Sequence, residues 1–158
     1  MRSFLAAVGN KVVIDAGILF EILTGTKQAR IFNEMLFGSP DIAEHRIRAI
    51  GYTEIYYLLC RGLDNAEFSE SVQKFQDLVQ ISSISDPKDR AGEIKCRYSI
   101  SPADCFTIAL AEKIKGKMLF KHEDEVNHVL INVNEGIFSY IAFIDGFSYF
   151  KRQIENRS

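Results

Sequence analysis

The chain has 158 residues, of which 47% are hydrophobic and 25% charged, the balance of a soluble globular protein with one sizeable core. A net charge of −2 gives no global signature of a nucleic-acid binder, so any such contact must rest on a local patch. Cys60, Cys96 and Cys105 are odd in number and show no CxxC or zinc-type spacing, which argues against a disulfide framework and for buried thiols in a reducing compartment.

The opening stretch, "MRSFLAAVGN", imitates a secretion signal for five residues, but its apolar part is too short. No run approaches the roughly 18 apolar residues of a membrane span, so a cytoplasmic location is expected. The first strand is "KVVI", Lys11–Ile14, short and β-branched in the manner of a strand buried on both faces. It runs into Asp15 and then into "AGILFEIL", which has helical character.

"HRIRAIGY", residues 45–52, is the second strand candidate, followed by the helix "TEIYYLLCRGL". A helical stripe at 68, 72, 75, 78 and 79 marks residues 66–79 as the next helix. "VQISSIS" follows as a weak strand, and Pro87 suits the start of a helix through "RAGEIKCRY". The helix from Ser101 ends near Gly116, "KMLFK" is a further strand, and "SYIAFID" is the last. Short apolar strands alternating with helices predict an α/β domain with a mainly parallel sheet, as one domain over residues 1–158.

In such sheets ligands bind beyond the carboxyl ends of the strands. Four strand-to-helix regions each supply an acid there: Asp15, Glu54 at the head of its helix, Asp104, and the run Glu123-Asp124-Glu125. Each alone has a structural explanation, since acids cap helix starts and suit the helix dipole. Ser101-x-x-Asp104 fits a relaxed capping box with Pro102 as the first helical residue.

The set is more informative than its members, because capping would accept Ser, Thr or Asn equally well. Acids brought together would repel and need a cation, and hard oxygen ligands suit Mg²⁺ or Mn²⁺. Such an ion activates water and stabilises the departing oxygen in phosphodiester cleavage. On this reading Asp104→Asn removes repulsion and raises the metal-free melting temperature.

"VVIDAGILFEIL", "YTEIYYLL" and "ISPADCFTIALAEKIKGKMLFKHEDEV" resemble, in order and spacing, the motifs of PIN-domain proteins, particularly VapC-type toxins. The resemblance implies a three-layer α/β/α fold and a metal-dependent endoribonuclease, the toxin of a toxin–antitoxin pair. It further implies an RNA substrate, an antitoxin partner and a homodimer. The metal and catalytic set it implies is Asp15, Glu54, Asp104 and Glu123, with Asp124 as a rival for the fourth place.

Two positions depart from the pattern. Lys121-His122-Glu123 stands where Thr-Arg-Asp is common, and Gly17 stands where a Ser is sometimes found. The alternatives are a stand-alone RNA-processing nuclease and a catalytically degraded PIN-like binding module. A receiver-type phosphoacceptor also clusters acids at strand ends, but "VVIDAG" lacks the acidic pair it needs.

Among the remaining polar residues, Lys121 reads as a solvated charge before a phosphate contact, and the pair Arg46 and Arg48 as surface charge before a partner contact. Tyr56 and Tyr57 are candidates for the core or a dimer interface, the core being favoured. His45, His122 and His128 lack metal-ligand spacing.

Overall fold

A computed structural model describes residues 6–82, 87–121 and 139–144. In chain order these form β1 (Lys11–Ile14), α1 (Ala16–Thr24), α2 (Lys27–Phe37), β2 (Glu44–Arg48), α3 (Ala49–Gly62), α4 (Asn65–Leu78), β3 (Gln80–Ser82), α5 (Lys88–Arg97), α6 (Pro102–Ile114), β4 (Lys117–Phe120) and β5 (Ile141–Phe143). The sheet order is β3-β2-β1-β4-β5, and every pairing is parallel.

Side chains alternate across a strand, and here the alternation separates two cores. Val12 and Ile14 of β1, Ile47 of β2, Leu119 of β4 and Ala142 of β5 join Leu19, Phe32, Met35, Leu59 and Phe75 from α1–α4. Val13, Met118, Phe120, Ile141 and Phe143 face the other way and join Ile94, Ile108 and Leu110 from α5 and α6. The result is the three-layer α/β/α arrangement, with Val12, Val13 and Ile14 of β1 buried because both faces of the strand are covered. None of the helices among the described residues is long and apolar enough to cross a membrane.

Several local expectations change. The second strand ends at Arg48 and α3 begins at Ala49, because Arg48 takes the extended N-cap conformation. Glu54 therefore sits in the second turn of α3, exposed, and not at the helix head. The second helix, α2, was not distinguished by pattern alone; Thr26 starts it by accepting a hydrogen bond from the Ala29 N–H at 3.2 Å. Pro87 is the N-cap of α5 and lies outside its first turn.

Tyr56 and Tyr57 are exposed on α3, where Tyr56 packs edge-on against Phe68 and Arg61 lies over the Tyr57 ring. Cys105 is buried as expected, whereas Cys60 and Cys96 are exposed. Close packing requires a glycine at 116, where a Cβ would lie 2.6 Å from the Lys11 carbonyl oxygen. That contact lets β4 enter alongside β1 immediately after α6.

Candidate functional site

Asp15 leaves β1 at its carboxyl end and becomes the N-cap of α1. Its backbone N–H donates to Leu119 O at 3.1 Å, which ties it to β4. Its Oδ2 accepts from the Gly17 N–H at 2.9 Å, which orients the carboxylate. A Cβ at Gly17 would stand 3.2 Å from that same oxygen, so the glycine leaves the Asp15 carboxylate room that a side chain would take.

Asp104 is held differently. The N-cap of α6 is Ser101, whose Oγ accepts from the Asp104 N–H at 3.0 Å and donates to Asp104 Oδ2 at 2.7 Å. A hydroxyl can do both, having one proton and two lone pairs. Asp104 is thus not the cap; the cap positions it. Pro102 occupies the first helical position as the capping pattern requires.

β1 and β2 are parallel neighbours paired through Val13 and Arg46, so Arg48 at the end of β2 and Asp15 just after β1 lie at the same edge of the sheet. Arg48 is only 9% exposed, and its Nη1 is buried with no hydrogen-bond acceptor among the described residues. Burial pushes its guanidinium down from the usual value, while the negative charges of Asp104, Asp15 and Glu54, in that order, push it back up. Arginine keeps its proton in such a setting. The charges of three of the sequence-predicted acids thus all act on Arg48, a buried cation of their own chain.

They do not form a closed ligand cage. Among the described residues, no three His, Cys, Asp or Glu side chains are gathered closely enough to hold a metal ion. A metal-sized cluster of Asp15, Glu54 and Asp104, from which a need for a cation would follow, is not formed among the described residues. The donor chemistry still suits a hard divalent cation, since every candidate ligand is a carboxylate oxygen. Glu123 and Asp124, like His122 and His128, lie outside the described residues.

The family model for the PIN domain matches residues 12–129. The chain belongs to the PIN-domain family. Similar solved structures include VapBC2 from Rickettsia felis bound to a promoter DNA fragment, at 12% identity, covering 85% of this chain and 99% of that one with a TM-score of 0.63. Mycobacterium tuberculosis VapC20, described as a sarcin–ricin loop cleaving toxin, is 13% identical over 74% of this chain and 93% of its own, with a TM-score of 0.57. A toxin–antitoxin complex from Klebsiella pneumoniae gives 16%, 73%, 90% and 0.56 for the same measures. Among curated proteins, none matches the chain closely in sequence.

Two further residues of this PIN domain differ from their sequence reading. Lys121 is not a solvated charge: it pairs with Glu21 of α1, a side chain only 17% exposed, whose second oxygen is buried without a hydrogen-bond donor among the described residues. Arg48 is not surface charge either. The signal available for it was position, since it stands at the carboxyl end of its strand as Asp15 does. His45 is a satisfied structural residue, its Nε2 2.8 Å from Leu36 O and its ring against Phe37.

Proposed function

We propose that this PIN domain is a divalent-metal-dependent endoribonuclease and the toxin of a VapBC-type toxin–antitoxin pair. What carries the reading is family membership over residues 12–129, with Asp15 at the carboxyl end of β1 and Asp104 in the first turn of α6 as the acids it would use. Similarity to structures named as VapC toxins supports it.

Asp15, Glu54, Asp104 and Glu123, with Asp124 as the rival fourth acid, would hold Mg²⁺ or Mn²⁺. Such an ion supplies an activated water and stabilises the oxygen leaving the phosphodiester. The chain's own contribution is orientation: the Gly17 N–H aims the Asp15 carboxylate and the Ser101 hydroxyl aims that of Asp104. A carboxylate in this set would also accept the proton of the attacking water. An antitoxin and a second copy of the chain are the partners this reading assigns, in keeping with the toxin–antitoxin complexes among the similar structures.

The test is RNA cleavage by the purified chain with Mg²⁺, with Mn²⁺ and with EDTA, alongside Asp104→Asn. Cleavage that requires the cation and disappears in the variant is the expected result. Cleavage indifferent to EDTA, or retained in Asp104→Asn, would overturn the assignment. One observation favours a second reading, a PIN-like binding module without activity: Arg48 already supplies positive charge among the acids. Metal-independent RNA binding with no cleavage under any condition would select it.

A further inference from the structure

Three features meet at Arg48. It is nine-tenths buried, with Nη1 lacking an acceptor among the described residues; it ends β2, the parallel neighbour of β1, which Asp15 directly follows; and α6, which carries Asp104, packs against β2. A buried guanidinium normally fills its planar fork with acceptors, because an unmet donor in low dielectric is costly. Here Asp15 Oδ2 accepts from the Gly17 N–H and Asp104 Oδ2 from the Ser101 hydroxyl. The guanidinium keeps one buried nitrogen without an acceptor among the described residues.

Nη1 is buried, so it does not present an open surface to an incoming phosphate. Its chemistry is that of an internal counter-charge.

We propose that Arg48 is a tethered cation that competes with divalent metal for the acids Asp15, Glu54 and Asp104, and so sets how tightly this site binds its metal. The proposal rests on the metal-dependent reading above and deepens it. A divalent cation entering the site meets a fixed positive charge as well as the carboxylates, and its net attraction falls accordingly. Metal affinity is then a property of Arg48 as much as of the ligands. At low metal concentration the guanidinium offsets part of the negative charge of the three acids, and the site fills only when the cation is abundant. Arg48 is a positioning and regulatory residue in this account, not a catalytic one.

The experiment measures Mn²⁺ binding to the full chain by calorimetry and by the metal-dependent shift in melting temperature, with no RNA present. Arg48→Met keeps the length of the aliphatic stem and removes the charge; Arg48→Lys keeps the charge. The expected result is Mn²⁺ affinity about tenfold tighter in Arg48→Met, the change that about 1.4 kcal/mol makes, and near wild type in Arg48→Lys. Arg48→Met should also melt lower than wild type without metal and recover as Mn²⁺ is added.

If Arg48→Met fails to fold without metal, refolding in Mn²⁺ supports the proposal and failure to refold in Mn²⁺ overturns it. Equal affinity in wild type and a folded Arg48→Met overturns the competition alone and leaves the nuclease reading standing. No Mn²⁺ binding by either folded protein overturns both.

Discussion

Arg90 and Arg48 both stand among carboxylates, and the protein treats them in opposite ways. Arg90, on α5, donates Nε and Nη2 to the two oxygens of Glu112 at 2.6 and 3.2 Å, and Nη1 to Glu93 at 2.8 Å. The hydrogen bonds to Glu112 and then Glu93 hold its guanidinium above the usual value. Arg48 is pushed the other way by burial, and one of its nitrogens is left without an acceptor. Arg90 belongs to a fork-to-fork pair that clips α5 to α6 at the surface. At Arg48 one buried nitrogen is left without an acceptor among the described residues, the kind of unmet donor that calls for an explanation beyond stability.

Substitutions can break or sharpen this contrast. The largest effect is expected for Asp104→Asn, which should lower RNA cleavage by about a hundredfold or more, a scale typical for loss of one electrostatic group in a reaction site. Helix α6 should survive, since Ser101 remains its cap. The metal-free melting temperature should fall, by the equivalent of about 1–2 kcal/mol, because Arg48 loses the acid that acts on it most strongly. That reverses the sign expected from acids that merely repel one another. Thermal denaturation in EDTA decides between the two, and a rise would show that repulsion outweighs the guanidinium.

Ser101→Ala comes next. Removing the N-cap should cost about 1 kcal/mol, read as a lower melting temperature. Releasing Asp104 Oδ2 should reduce cleavage about tenfold, as losing an outer partner of a ligand does. Cleavage at the wild-type rate would mean that Ser101 serves only the helix.

Gly17→Ala should gain up to about 1 kcal/mol of helix propensity while crowding Asp15 Oδ2. A several-fold loss of cleavage without a drop in melting temperature is the expected combination. A variant as active as wild type would show that Asp15 has room to spare.

The smallest effect should come from Arg90→Ala, the control for the comparison. Its pair with Glu112 is partly exposed, so stability should fall by about 1 kcal/mol or less. Neither cleavage nor the Mn²⁺ response should change. A change in either would erase the distinction between the two arginines.

Much of this arrangement was legible in the residues. β1 and β4 are short apolar runs whose burial on both faces follows from their composition, and Asp15 and Ser101–Asp104 fall where strand ends and helix caps put them. Arg48 was not legible, because "HRIR" alternates like a half-exposed strand. Periodicity along one strand says nothing about its neighbours, and β2 lies between β1 and β3 with α6 over it. Lys121 was misjudged for the same reason, its partner Glu21 being 100 residues away. Glu54 was assigned correctly to α3 but to the wrong turn, because the helix starts at Ala49 and recruits residues that read as strand.

The strand order has a consequence in time as well as space. β1 is central, and its two neighbours come from distant parts of the chain: β2 begins at Glu44, β4 at Lys117. During synthesis the half built from β1, β2 and β3 is complete by Ser82, and domains tend to fold from the N-terminal side as they emerge. That half already holds Asp15, Arg48 and Glu54, but it lacks Asp104 and the helix that covers Arg48. A nascent chain therefore carries the guanidinium before its strongest acidic neighbour exists. Any chemistry that needs Asp104 must wait for the long-range closure of β4 onto β1, the slow kind of contact in a parallel sheet.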